Sequence, residues 1–412
     1  MPAVNLGLLL SAVADRIESG ESMRIAVVSE SFLPTLNGVT TSVCRVLEHL
    51  RDRGHDAIVI CPSASAPREF AGFPVHEVPA FAYRQFPVGL PNPQVQRLLD
   101  DFAPDLVHAA SPFLLGAQAI AAAARRNIAS VAIFQTDVAG YARRNGLGAA
   151  TALAWRLVRW VHEGADLTLA PSTASMADLA AAGIRRVERW GRGVDLEGYH
   201  PRNRLAAAAR MLRDRLAPDG EIIVGYVGRV APEKQLERLA ALRGIPGIRI
   251  AIVGGGPSMA SVERHLKGMP VTYLGTLTGV ALATAYATFD IFVHPGTEET
   301  FGQTIQEAHA SGVPVIAPRA GGPIDLVRVR QNGFLFEPDD NRSLRGFVEL
   351  LVRDEPLRLR MGEAGRRSVI DRSWESICDE LVEHYENTIA RRAHPAMAKA
   401  GTLKKLSRSR DS

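Results

Sequence analysis

Short apolar runs bounded by turn residues alternate with stretches of helical period along most of the 412-residue chain. The first clear run is Arg24-Ile25-Ala26-Val27-Val28-Ser29. It is continuously apolar, as in a strand buried on both faces of a parallel sheet. After a loop, apolar residues at Val39, Val43, Val46, Leu47 and Leu50 repeat with the 3.6-residue period of a helix. Gly54 ends that helix and 55–61 supplies the next strand, which completes a βαβ unit. The loop enters the helix through Asn37-Gly38, where bare backbone can approach a ligand. It lacks G-x-G-x-x-G, which argues against a nicotinamide dinucleotide. Further strands are predicted at 106–108, 130–134 and 166–172, with helices around 117–126 and over 149–163. The strand at 130–134 runs into Gln135-Thr136-Asp137. Ligands of open α/β sheets sit outside the carboxyl ends of strands, so Asp137 either reaches a substrate hydroxyl or caps the following helix.

After the turn Arg192-Gly193-Val194-Asp195 and a charged linker with a short helix at 200–218, the same grammar restarts at 222–229. The next loop enters a helix with Arg229 and Lys234 at its mouth. A guanidinium fork and an ammonium point charge suit a diphosphate; a plain surface charge cluster is the other reading. Strands at 250–253, 271–275 and 290–293 follow, with glycine-rich turns at 254–257 and 320–323. Between them lies 294–312. A turn at Pro295-Gly296 precedes a helix predicted to start at Thr300, because Thr300 and Gln303 have capping-box spacing. The unpaired N–H groups of such a first turn suit a phosphate or a sugar edge. Glu299 stands just before that start and Glu307 two turns in. A carboxylate beside the apolar strand at 313–316 needs a partner. It is either an ion-paired helix residue or a match for the vicinal hydroxyls of a ribose. Helices then run to Thr388, and Trp374, Ile377, Leu381 and Tyr385 share one face of the last.

The expected fold class is therefore α/β, with two doubly wound Rossmann-like domains, since single cores stop growing near ~250 residues. The expected organisation is an appendage at 1–22, an acceptor-side domain at 23–198, a donor-side domain at 199–370, a helix at 371–390 packing back on the first domain, and a tail at 391–412. The cleft between the domains is the expected site.

Composition and charge add to this picture. Cys44, Cys61 and Cys378 are dispersed, which favours reduced thiols and a cytoplasmic setting and disfavours a cysteine metal site. No His/Asp ligand cluster stands out, so no metal is expected, and His108, His294 and His309 read as structural. No run of about 20 apolar residues predicts a spanning helix, and the apolar stretch at 6–14 lacks the basic flank of a signal peptide. The net charge of +4 comes from the tail, where seven Lys or Arg residues face one Asp. That tail is either a solvated end or a contact for an anionic membrane, worth about 1 kcal/mol per basic residue near lipid. The body shows no matching basic stripe, so no nucleic-acid partner is expected.

Taken in order, these residues resemble the retaining glycosyltransferases of family 4, which have the GT-B fold, over roughly residues 23–390. The resemblance rests on E-x7-E from Glu299 to Glu307, on Gly228-Arg229 with Glu233-Lys234, on the Asn37-Gly38-Val39 loop, on the Arg192-Gly193-Val194-Asp195 turn and on Ala320-Gly321-Gly322-Pro323. Within the family, the segments 23–34, 134–138 and 170–176 are most similar to the GDP-mannose-dependent α-mannosyltransferases of actinobacterial lipoglycan synthesis. The resemblance implies GDP-mannose as donor, a lipid-linked sugar as acceptor, retention of configuration, no cofactor or metal, and work at the inner face of the plasma membrane. It implies that Glu307 holds the donor ribose and that Arg229 and Lys234 bind the diphosphate and stabilise the leaving GDP. Asn37 and Gly38 would bring backbone to the phosphates and sugar. Glu299, with the amides of Thr300, Phe301 and Gly302, would orient the transferred sugar. Many relatives carry a histidine just before position 137; here Asp137 takes that place as a polar contact. A UDP-sugar enzyme of the same fold and an inactive nucleotide-sugar-binding scaffold are the competing readings.

Overall fold

The computed structural model describes residues 22–35, 37–62, 65–83, 86–89, 92–135 and 148–393. Asp137, residues 1–21 and the tail from 394 onward lie outside the described residues. The chain divides into two compact units. The first takes in Met1–Pro171, Met176–Trp190 and Cys378–Ser412, and the second Ser172–Ser175 and Gly191–Ile377.

The first unit holds β1 (Arg24–Ser29), α1 (Gly38–Asp52), β2 (Asp56–Cys61), β3 (Glu69–Phe70), β4 (Phe73–Glu77), β5 (Ala80–Tyr83), β6 (Phe86–Gly89), α2 (Pro93–Phe102), β7 (Leu106–Ala110), α3 (Leu114–Arg125), β8 (Ala129–Ile133), α4 (Gly148–Gly164), β9 (Leu167–Ala170), the part of α5 (Thr173–Ala181) from Met176 on, and β10 (Val187–Arg189). Eight of its strands form one sheet in the order β10-β9-β8-β7-β1-β2-β4-β3, parallel apart from the β3–β4 pair. The chain enters at β1, builds outward through β2, and returns to place β7 on the other side of β1. Ile25 and Val27 are fully buried, as the continuous apolar run predicts. The short strands β3 to β6 and the helix α2 are additions to the predicted elements. The start of α2 is readable after the fact: Asn92 accepts from the Gln94 amide, and Pro93 opens the helix.

The last helix, α13 (Trp374–Ala393), runs five residues past the expected end at Thr388. From Cys378 onward it belongs to the first unit. Leu381, Tyr385 and Ile389 are buried there. The Tyr385 hydroxyl is hydrogen-bonded to His108, and Arg392 forms an ion pair with Asp166 at 2.5 Å.

The second unit holds α6 (Ala207–Leu216), β11 (Ile222–Val227), β12 (Ile248–Val253), α7 (Met259–His265), β13 (Val271–Gly275), α8 (Gly279–Thr288), β14 (Ile291–Val293), α9 (Gln303–Ala310), β15 (Val315–Pro318), α10 (Pro323–Leu326), β16 (Gly333–Phe336), α11 (Asn341–Arg353) and α12 (Glu355–Val369). Its six strands are all parallel, in the order β13-β12-β11-β14-β15-β16. Separate apolar clusters cover the two faces, one around Tyr226, Ile252 and Phe336, the other around Phe289, Phe292 and Ile305. Each unit is thus a doubly wound α/β sheet, the class read from the sequence. At the amino end of β14, the buried Asp290 carboxylate accepts from the Ile223 amide at 2.9 Å and pairs with Arg213 at 2.9 Å and Arg204 at 2.5 Å. That network fastens the charged linker to the sheet.

One element differs from its prediction in kind. The segment entered by Lys234 is two 3-10 stretches, Pro232–Lys234 and Leu236–Leu242, joined by Gln235 at φ +48°. Leu236, Leu239 and Leu242 recur every third residue and all are buried, which matches three residues per turn rather than 3.6.

Candidate functional site

In the second unit the chain builds β11, β12 and β13 outward and then returns to lay β14 on the other side of β11. The carboxyl ends of β11 and β14 therefore flank the topological switch point, where open α/β sheets take ligands. The loops leaving these two strands carry Arg229 and Lys234 on one side and Glu299 on the other. Glycines let the loops nest. Gly254 sits at φ +130°, and a Cβ there would lie 1.9 Å from the Gly228 carbonyl oxygen. At Gly322 a Cβ would lie 2.1 Å from the Phe301 carbonyl oxygen, and the Gly322 amide donates to the Glu299 carbonyl at 2.7 Å. No other residue fits either contact without moving backbone.

Lys234 Nζ meets Glu299 Oε2 at 2.7 Å. The other carboxylate oxygen accepts from the Gly302 amide at 3.2 Å and more weakly from the Phe301 amide at 3.4 Å. Burial alone would raise the Glu299 pKa; the Lys234 ammonium and the amide donors instead hold it down to about 2. Glu299 is therefore ionised and fixed in place. His294, fully buried on the same loop, is pushed by burial to about 4 and stays neutral, with Nε2 3.8 Å from Glu299.

The helix α9 starts three residues later than expected from Thr300, at Gln303, with Gly302 at φ +103° as its cap residue. The left-handed turn at Gly302 sets that later start. The Glu299 carboxylate covers loop amides ahead of it, and the Gln303 side chain donates to the Gly193 carbonyl at 3.1 Å. Glu307 consequently lies just past the first turn rather than two turns in.

Glu307 Oε2 accepts from the Tyr286 hydroxyl at 2.9 Å. Burial pushes its pKa up to about 7, against the pull of hydrogen bonds from Tyr286 and Gln303, and the nearby Asp195 adds to the rise. Tyr286 is itself completely buried on α8. It and Arg192, whose charge is felt by Glu299, are site residues the sequence reading did not single out. Arg192 lies in the turn already noted; no spacing rule connects Tyr286 to Glu307, 21 positions away. Arg229 is exposed on the loop that carries Lys234.

In the first unit, Asn37 Oδ1 accepts from the amides of Val39 at 2.9 Å and Thr40 at 3.0 Å, and its Nδ2 donates to Ser31 Oγ at 2.8 Å. The Asn37 side chain is thus committed to capping α1, and Gly38 is the first helical residue. Asp137 lies outside the described residues. Among the described residues no group of three or more His, Cys, Asp or Glu is placed to hold a metal ion, and no helix is long and apolar enough to cross a membrane.

Doubly wound units of this kind, with cations and carboxylates gathered at a switch point, define the class of the GT-B glycosyltransferases. The chain belongs to glycosyltransferase family 4: residues 36–197 match the Glycosyltransferase Family 4 domain and residues 209–368 the Glycosyl transferases group 1 domain. It is 48% identical to a GDP-mannose-dependent alpha-mannosyltransferase of Mycolicibacterium smegmatis, over 90% of this chain and 99% of that protein. Identity to the protein of the same name from Mycobacterium tuberculosis is 45%, over 91% and 99%. The crystal structure of Anabaena HepE in complex with UDP superposes with a TM-score of 0.75, over 89% of this chain and all of that one, at 20% identity, which speaks to the fold alone.

Proposed function

We propose that the protein transfers mannose from GDP-mannose, with retention of configuration, to a lipid-linked sugar acceptor. The arrangement that carries this reading is the Lys234–Glu299 pair at the switch point with Glu307 one turn into the adjoining helix. It is supported by the GDP-mannose-dependent names of relatives that match nearly the whole chain.

Each residue has a distinct task. An ammonium has three donors, so Lys234 can keep Glu299 and still donate to a diphosphate oxygen. Arg229, exposed on the same loop, adds a fork for the same group. Together they stabilise the charge that grows on the departing GDP, the largest electrostatic demand of the step. Glu299, ionised and held by Lys234, accepts from hydroxyls of the transferred sugar, beside the amides of Thr300, Phe301 and Gly302. Glu307 accepts from the ribose hydroxyls. Asn37 positions the Gly38 backbone for the phosphates and sugar, and Asp137 is a polar contact to sugar or acceptor. The transition state is oxocarbenium-like, as in glycoside cleavage. With Glu299 bound to Lys234, a front-face course in which the donor phosphate takes the acceptor proton fits better than a carboxylate nucleophile. Lys234 and Arg229 supply the positive charge, so no metal is required. The basic tail would bring the protein to the inner face of the plasma membrane, where a lipid-linked acceptor lies.

The test compares GDP-mannose with UDP-glucose, following thermal stabilisation and nucleotide release in the presence of a membrane lipid extract. Selective stabilisation and release of GDP is the expected result. A response confined to UDP-glucose would overturn the donor assignment, and none to either would point to a scaffold. Lys234→Ala should lower turnover by about 100-fold or more; near-normal transfer would remove the diphosphate role.

A further inference from the structure

A second cationic site lies at the other end of the second unit. A groove of about 440 Å³ is lined by seven residues, three of them arginines and none a carboxylate. Arg328 and Gln331 come from the turn that precedes β16, and Arg360, Ala364 and Arg367 from α12. The strands are parallel, so this turn at the amino end of β16 faces away from the carboxyl-end loops of Lys234 and Glu299. The groove is not part of the site described above.

Its cations are short of partners. Among the described residues Arg328 and Arg360 pair with no carboxylate, and Arg367 meets Glu363 only at 3.7 Å, with both side chains about 70% exposed. On α12 the positions 360, 364 and 367 follow the i, i+4, i+7 stripe of one helix face. Alanine in the middle leaves open the space between the two arginines, whose stems are about 10 Å apart along the axis.

The frame around these arginines is rigid. Asn332, 1% exposed, accepts from the Arg328 amide at 2.7 Å and donates to the Leu326 carbonyl at 3.1 Å and to Ser368 Oγ at 3.3 Å. Ser368 in turn donates to the Gly365 carbonyl at 2.7 Å. One buried amide therefore ties the turn to α12 and sets Arg328 opposite Arg360 and Arg367. The turn is closed further by Arg330 at φ +64°, whose amide donates to the Gly333 carbonyl at 2.9 Å. A tied turn carrying unpaired guanidinium groups is the arrangement that binds phosphate oxygens by paired N–H donors. With about 440 Å³ the groove has room for more than a lone ion.

We propose that this groove is a second binding site, for a phosphate ester with hydroxyls that Gln331 and Ser368 can meet. The same chemistry is carried by the glycerophosphate headgroup of an anionic phospholipid and by a soluble phosphorylated metabolite.

The experiment compares the full chain with Arg360→Glu/Arg367→Glu, both side chains being exposed, and uses thermal unfolding to confirm that the variant is folded. One arm titrates glycerol 3-phosphate by calorimetry. The other sediments the protein with phosphatidylcholine vesicles, with and without phosphatidylglycerol. The expected result is binding in at least one arm that weakens about tenfold or more in the variant. Arg360→Lys/Arg367→Lys, which keeps charge but loses the fork, should fall between. Loss confined to the vesicle arm assigns the headgroup, and loss of glycerol 3-phosphate binding without vesicle binding assigns a soluble ligand. Equal binding by parent and charge-reversed variant in both arms, or no binding by the parent, overturns the proposal. Because the readout is the difference between variants, it stands whether or not GDP-mannose proves to be the donor.

Discussion

Glu307 and Glu299 stand eight positions apart and are opposite kinds of acid. Glu299 is held by a cation and stays ionised above about pH 2; Glu307 is buried among neutral donors with the Asp195 carboxylate nearby, and takes its proton at about 7. The folded-state pKa of Glu307 lies above the unfolded value, so the folded protein binds this proton more tightly. The stability it contributes is full below about pH 4.5 and is lost as pH rises through 7. Glu307→Gln should therefore stabilise the ligand-free protein at pH 8 by about 1–3 kcal/mol and leave it nearly unchanged at pH 4. Denaturant unfolding at the two pH values checks this; equal effects at both would show that Glu307 is not perturbed. The proposed ribose contact of Glu307 predicts that GDP affinity rises between pH 6 and 8, as the carboxylate forms, and that the Gln variant flattens that rise. A carboxylate left costly without ligand is a cost that binding can offset.

At the scale of elements, the site depends on loops that touch backbone to backbone. Gly254→Ala would drive a Cβ into the Gly228 carbonyl at a backbone angle that alanine avoids. The β11 loop, and Lys234 with it, must then move. The expected cost is about 2 kcal/mol or more, with a fall in turnover larger than that in the less confined Gly275→Ala, whose Cβ meets nothing within 4 Å. Comparable losses in the two variants would show that the nested loops do not position the site. This dependence also explains what sequence could reveal. The central strands β1 and β11 are continuous apolar runs, and their loops carry turn residues, so strand, loop and charge were all legible. The partnership of Lys234 with Glu299 spans 65 positions and that of Tyr286 with Glu307 spans 21; only the sheet order brings them together. The start of α9 was misplaced because Gly302 turns left-handed, a backbone choice that overrides the spacing of Thr300 and Gln303. The strands β3 to β6 are two to five residues long and include Pro74 and Pro87, so they lacked a run of alternation to read. Neither the asparagine strut at Asn332 nor the arginine groove has any linear motif.

For the whole molecule, the order in which the chain is laid down matters. The first unit starts at β1 but takes its last helix segment from residue 378 onward, after the entire second unit. Its fold cannot be complete until the chain is, because long-range contacts form only once both partners exist. The segment from Cys378 to Ala393 is not a loose end. It buries Leu381, Tyr385 and Ile389, gives His108 its hydroxyl partner, and pairs Arg392 with Asp166. Burial holds the His108 imidazole down to about 3, so the ring is neutral and depends on that hydroxyl. Each large side chain removed from burial costs about 2–3 kcal/mol, and orphaning a buried polar group adds about 1–3 kcal/mol. A chain ending at Ile377 should therefore have a first unit near or below its folding threshold, with the second unit's sheet and proposed GDP site intact. Limited proteolysis should cut the truncated chain within 22–190 at protease levels that spare the full chain, while GDP still raises the unfolding temperature of the remainder. Tyr385→Phe in the full chain is the milder companion, expected to lose about 1–2 kcal/mol because it removes one hydroxyl and no packing. A truncated chain as resistant as the parent would mean that the late segment covers the first unit without holding it together.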